Sequence, residues 1–448
     1  MSGTVSHEAM LQAGVASKNI TPDGPVEMSG YGAREGLSSG VHDSLSASAV
    51  VFDDGAVTVG LLSVDVLNVS RELTHQVRQS LADDGIVLDG LFIAATHTHA
   101  GPYLPARALD VSPPLQAETD VSDTVASIER GLVAALTAAY ERREAATVRI
   151  GHDSETTVPE NRRKTGGVSG NVRVPWGTVD PEVTALLIET ASGERAVVYN
   201  FACHPVCTTA GETELSADWP GYARRRIRAQ YGDVPVLFLN GAAGDINPSG
   251  MDSDRTGDAV YEYMAEIGTS VGDAVCRALE AATNSTAVTM RRPPIQIDQA
   301  DVSLPVKETP PESVIRDRIA DLESQLERLE ANGDQVGHTK LAHNHQYAEE
   351  LLAIARWDVT HLPTHIPYIE LGEVGLLGMP GEVFVRHGLE LKARTRVSTL
   401  VPAGYVNGYI GYVPPLSALE QIGYEVRTAK IAPEAVVRFR EATLDLIT

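Results

Sequence analysis

The segment Thr96-His97-Thr98-His99 follows the apolar run LFIAA (91–95) and precedes Gly101-Pro102. Side chains two apart on a strand share a face, so His97 and His99 are expected to project into one site, as a metal ligand with a neighbouring acid/base would. A pair of surface histidines capping a strand fits this short motif equally well. His204 closes a second apolar run in NFACHP (200–205). Cys203 and Cys207 flank it, but the one other thiol is Cys276, so no second Cys pair completes a structural zinc knuckle. The thiols are expected as small buried hydrophobes. Glu382 lies in MPGE (379–382), after the apolar run VGLLG. Two histidines and a glutamate arriving from separate strand ends suit a catalytic zinc ion, which takes about three protein ligands and keeps a position for water.

Two further segments are ambiguous. NGAAGDINP (240–248) has glycines after an apolar strand, but it lacks both the Lys-Ser/Thr of a P-loop and the spacing of a dinucleotide fingerprint. NGYIGYVPP (407–415), followed by Gly423-Tyr424-Glu425, carries tyrosines in a Gly/Pro-rich context, where they usually pack.

The elements that must position these residues follow from hydrophobic period. Residues 46–54 and 56–67 read as a hairpin around Asp-Asp-Gly, 70–84 as an amphipathic helix after an N-cap Ser, and 90–102 as a strand. This strand-helix-strand order predicts a crossover in an α/β sheet, with its histidines at a carboxyl end of a strand. The order repeats with a strand at 195–205, a helix at 220–232 and a strand at 234–248. Helices are also expected over 120–144, 257–283 and 432–446. Between 311 and 357, Ile315, Ile319, Leu322, Leu326 and Leu329 recur at threes and fours before an Asn-Gly break, which predicts an inserted antiparallel helical hairpin.

The chain of 448 residues carries a formal charge of −24, the opposite field to the one that steers a protein to nucleic acid. An anionic membrane surface is an equally poor partner. No apolar run is long enough to span a bilayer, and residues 1–22 lack a basic region followed by an apolar one, so a cytoplasmic location and no stable membrane association are expected.

ITPDGPVEMSGYGAREGLSSGVHDSL, ATHTHAGP, NFACHP, NGAAGDINP, MPGEVF and NGYIGYVPP with GYE occur in the order and approximate spacing of the neutral/alkaline, non-lysosomal ceramidases, from about residue 12 to 448. The chain resembles that family. The resemblance implies a single mixed-sheet α/β catalytic domain over 1–448 with the hairpin inserted, and one zinc ion per chain held by His97, His204, Glu382 and Tyr412. It also implies a proton-transferring His99 beside the zinc, with Tyr424, twelve residues after Tyr412, and Arg162 hydrogen-bonding the developing oxyanion or the substrate. The Arg alignment is looser, and Arg163 is the alternative.

Zinc brings the pKa of a bound water towards neutrality and polarises a carbonyl oxygen. The resulting expectation is hydrolysis of the amide bond of a soluble N-acyl small molecule through that water. Zinc esterase or lactonase activity, a lyase, and an inactive zinc-binding homologue are the alternatives. Where the ceramidases carry Gly-Asp-Val-Ser-Pro-Asn, this sequence has Gly244-Asp245-Ile246-Asn247-Pro248-Ser249. Asn247 can donate and accept hydrogen bonds but cannot serve as an alkoxide nucleophile. The chain stops soon after Tyr424, without the immunoglobulin-like domain of many ceramidases, which adds to the expectation against long-chain ceramide. Tyr31, Tyr103, the loop 163–178 and the hairpin are expected to wall the pocket.

Overall fold

A computed structural model describes residues 10–106, 108, 117–163, 177–251, 254–284, 289–421 and 423–448. Most of the expected loop 163–178, namely 164–176, lies outside them. The larger sheet runs in the order Val236–Asn240, Arg195–Phe201, Glu182–Thr190, Glu144–Ser154, Gln12–Asn19, Ser46–Asp53, Thr58–Val64 and Gly90–Ala95, with Thr289–Met290 beside Glu144–Ser154. Its neighbours are antiparallel except the outermost pair at each end. The expected hairpin is present in register, with Asp53 opposite Thr58. A second sheet orders Ile295–Pro305, His361–Leu371, Val374–Met379 and Thr399–Gly404, its last pair parallel.

The pleat explains the layering, because alternate residues of each strand enter different cores. Leu91, Ile93 and Ala95 join a core with the helices Arg71–Asp83 and Ser122–Glu141, whereas Phe92 and Ala94 face inward. Val197, Tyr199 and Phe201 meet the helices Trp219–Tyr231 and Asp258–Asn284, whereas Ala196 and Val198 face inward. Val374, Leu376, Val401 and Ala403 of the second sheet close that inner core, and Leu377, Met379 and Leu400 turn to the C-terminal helix Pro433–Ile447. Two sheets therefore share one apolar interior, with helices outside both.

Each parallel pair has a helix between its strands: Arg71–Asp83, Trp219–Tyr231 and Val385–Arg394. The first starts on Ser70, whose Oγ accepts from Leu73 N at 3.0 Å. The second starts on Asp218, whose Oδ1 accepts from Trp219 N at 2.7 Å and whose Oδ2 accepts from Cys207 N at 2.9 Å. Three crossovers bring three sets of carboxyl strand ends into one region. The helices Glu312–Ala331 and Gln335–Ala355 form the expected hairpin. No described helix is long and apolar enough to cross a membrane.

Candidate metal and active site

His97 comes two residues after the strand Gly90–Ala95, His204 three after Arg195–Phe201 and Glu382 three after Val374–Met379. All three are buried. His97 Nδ1 lies 2.7 Å from Leu67 O and His204 Nδ1 lies 2.6 Å from Ala243 O. A carbonyl only accepts, so in both rings Nδ1 carries the proton and Nε2 presents a lone pair. Those lone pairs converge. His204 Nε2 is 3.0 Å from Glu382 Oε2, and His97 Nε2 is 3.7 Å from the same oxygen. His99 Nε2 is 3.4 Å from His97 Nε2. Burial pushes the His97 imidazole down to about 3, and the His99 and His204 rings well below the ordinary histidine range, so these rings are neutral at pH 7.

Neutral acceptors aimed at a carboxylate repel one another unless a cation sits among them. The residues therefore fit a metal ion. Among the described residues His97, His99 and His204 form the one group of three or more His, Cys, Asp or Glu side chains that could hold one, their ligand atoms within 4.8 Å of one another. The backbone hydrogen bonds on Nδ1 are the outer contacts that orient metal-ligating imidazoles. His99 has none: its Nδ1 is buried without a hydrogen-bond partner.

The basis for grouping His97 with His99 needs correction. The strand ends at Ala95, and His97 has φ 71°, the left-handed region that non-glycine residues seldom occupy. The two rings meet at 5.0 Å and 84° because of that turn, not because of strand alternation. Tyr405 stacks on His97 at 3.9 Å. The loop carrying it is fixed to the strand Gly90–Ala95 by Asn407, whose side chain bonds Ile93 N at 2.7 Å and Leu91 O at 2.6 Å. His204 is also held through its backbone, since its N–H donates to Ile246 O and its carbonyl accepts from Trp219 Nε1, both at 3.0 Å.

Tyr412 is the bridge partner of Glu382 in a two-residue parallel ladder, which sets it beside the carboxylate. Its hydroxyl accepts from Arg162 Nη2 at 2.9 Å. Arg162 also donates from Nε to Glu425 at 2.8 Å, from Nη1 to Asn247 Oδ1 at 3.0 Å and from Nη2 to Gly244 O at 2.8 Å. Four of its five N–H groups are thus engaged within the protein. Burial opposes its charge, but Tyr412, Glu425 and Glu382 more than offset this and hold its pKa well above the ordinary value. Asn247 completes its hydrogen bonding by facing Met251 Sδ at 3.1 Å. Arg163 reaches the other Glu425 oxygen at 2.7 Å, so the two candidate arginines share one carboxylate. Tyr424 meets Tyr412 edge-on at 5.8 Å.

Sequence reasoning missed Glu425, which links both arginines, and Tyr409, whose hydroxyl donates to Glu382 Oε1 at 2.5 Å. Both lie within quoted motifs, NGYIGYVPP and GYE, but nothing in their spacing distinguishes them from packing residues. Of the expected pocket walls, Tyr31 lies edge-on to His99 at 5.2 Å with its hydroxyl on Thr208 O, and Tyr103 packs near Tyr409. Cys203 and Cys207 are free and buried, with burial raising both thiols well above their ordinary range, consistent with packing rather than ligation.

The model for the N-terminal part of neutral/alkaline non-lysosomal ceramidase matches residues 11–250, more than half of the chain. The chain belongs to the neutral ceramidase family. It is 26% identical over 264 residues to the neutral ceramidase of Mycobacterium tuberculosis (strain ATCC 25618 / H37Rv), a match covering 54% of this chain and 40% of that protein. The crystal structure of neutral ceramidase from Pseudomonas aeruginosa superposes with a TM-score of 0.75 at 17% identity, covering 98% of this chain and 74% of that one. A ceramidase solved in complex with C2 gives 0.73 at 16% identity, over 98% and 75%. Thus the mixed α/β fold is the ceramidase catalytic fold. Asn247, expected from the resemblance to stand where the family has Ser, accepts from Arg162.

Proposed function

We propose that this ceramidase-family chain is a zinc-dependent hydrolase that cleaves the amide bond of a soluble N-acyl compound. The observation that carries the reading is the convergence of the unprotonated His97 and His204 Nε2 atoms on Glu382 Oε2, with His99 Nε2 3.4 Å from His97 Nε2. Imidazole nitrogens with a carboxylate suit zinc, and one such cluster supports one ion per chain, held by His97, His204, Glu382 and Tyr412. When bound, zinc supplies Lewis acidity to a water and to the substrate carbonyl.

The chain's own residues divide the remaining work. His99, the one imidazole of the three without a backbone acceptor on Nδ1, is free to take a proton and return it to the leaving nitrogen. Tyr424 donates to the carbonyl oxygen as it gains charge. Arg162 holds the Tyr412 oxygen and Asn247 in place, and its single remaining N–H points it towards support of the site more than towards gripping substrate. Asn247 acts through the hydrogen bond it accepts, not as a nucleophile. A charge of −24 favours a dissolved substrate over one presented on an anionic surface.

Metal analysis and a panel of short and long N-acyl amides, acyl esters and lactones test the proposal. Zinc at one ion per chain with amide turnover is expected. His99→Ala should lower amide turnover far more than ester turnover, because an amine leaving group requires protonation. Zinc-replete protein inert towards every acyl substrate would overturn the hydrolase, and an equal fall for amide and ester would overturn the role of His99.

A further inference from the structure

Tyr424 and Glu425 sit on the helix Tyr424–Thr428, whose first turn has no side-chain cap. Five residues are too few to hold a helix by their own hydrogen bonds, so its position depends on what grips it. The inner grip is Glu425 between Arg162 and Arg163, with Tyr424 against Tyr412. The outer grip comes from the hairpin. Asn344 Oδ1 accepts from Arg427 Nη1 at 3.0 Å, and the Arg427 guanidinium lies 5.1 Å from the Tyr347 ring centre. Tyr347 faces Tyr424 at 6.4 Å. Three residues beyond Tyr347, Glu350 accepts from Lys430 Nζ at 2.5 Å, and both are buried, with 5% and 3% exposure. Lys307, just before the hairpin, donates through Nζ to Arg427 O at 2.6 Å and through its backbone to Lys430 O at 2.8 Å.

A buried ion pair gives little net stability over an apolar pair of the same shape, but it tolerates few geometries. We propose that Glu350 is a positioning residue: through Lys430 it fixes the register of the Tyr424–Thr428 helix, and so sets where Tyr424 and Glu425 stand relative to Tyr412 and Arg162. The hairpin is then part of the machinery that places the Tyr424 hydroxyl. The kinetic consequence rests on the hydrolase reading; the positional one does not.

The test uses the full chain loaded with zinc and the variant Glu350→Gln. Amide hydrogen exchange at 424–429 should accelerate, while that of the strands Arg195–Phe201 and Val236–Asn240 stays at wild-type rates. The kcat on the best N-acyl substrate should fall by about tenfold or more with KM within about twofold, the pattern of an interaction realised in the transition state. In a Tyr424→Phe background the same substitution should cost nothing further, because a residue that acts through Tyr424 loses its effect with it. Losses that multiply, or exchange at 424–429 that does not change, would overturn the proposal. If Glu350→Gln loosens the whole chain, Lys430→Gln, which breaks the same pair from its other end, decides by the same measurements. A wild-type protein inert towards every substrate would overturn the hydrolase, and the exchange result alone would then decide the positioning role.

Discussion

The two halves of the candidate site are held in different ways. On the metal side, His97 and His204 are fixed by backbone carbonyls, 2.7 Å and 2.6 Å from their Nδ1 atoms, at the ends of strands buried on both faces. On the Tyr424 side, position depends on side chains meeting side chains: Glu425 with two arginines, Glu350 with Lys430, and Arg427 with Asn344. Backbone contacts survive almost any substitution except that of the histidine itself. Side-chain pairs can each be changed from either end. The metal side is thus expected to be robust to its surroundings and intolerant of ligand loss, and the Tyr424 side to be adjustable.

The largest effect should follow His204→Ala. It leaves Glu382 beside an empty space, and metal analysis should find zinc close to absent after dialysis, with hydrolysis lost. Retention of a full zinc complement would show that His97, Glu382 and Tyr412 suffice and would break the metal half of the comparison. Next, Tyr424→Phe should leave zinc content at wild-type levels but lower kcat by about 10²-fold to 10³-fold, as loss of one fixed donor to a developing oxyanion does. Zinc loss in this variant would show that the two halves are not separable.

This division also explains what could be read in the sequence. His97, His204 and Glu382 are legible because each ends an apolar run, and strand-helix-strand order carries such ends to one place. The hairpin is legible from its period. Tyr412 enters only through family likeness, since its partnership with Glu382 depends on a two-residue ladder that no local pattern marks. Glu425 is invisible because its partner Arg162 lies 263 residues away. The left-handed turn at His97 defeats strand alternation while giving the same neighbour, His99, for a different reason.

Tyr409 is the exception that sharpens the contrast, because it is a side-chain contact on the metal side. Its hydroxyl donates to Glu382 Oε1 at 2.5 Å and leaves Oε2 facing the histidines. Loss of such an outer contact typically costs about tenfold to 100-fold in metal affinity. Tyr409→Phe keeps the ring and should weaken zinc by that amount in chelator competition. An affinity within about twofold of wild type would show that the ladder with Tyr412 suffices to hold Glu382.

The mildest test uses pH to probe the Tyr424 side. Burial, aided by the neighbouring Lys430 charge and opposed by Glu350, brings Lys307 from 10.5 down to about 8. Below pH 8 the folded and unfolded chains both carry the proton, and the folded state bears the full cost of the buried charge. Between pH 8 and 10.5 the folded chain releases the proton while the unfolded chain keeps it, so unfolding free energy should rise with pH, by about 1.5 kcal/mol between pH 8 and 9.5. Denaturant unfolding of Lys307→Met should lack this rise. Parallel curves for the two proteins would mean that Lys307 titrates alike in both states, and that the contact with Arg427 O does not hold the ammonium inside the fold. The imidazoles of the metal side should add no slope in this window, because they are already neutral in both states above pH 8.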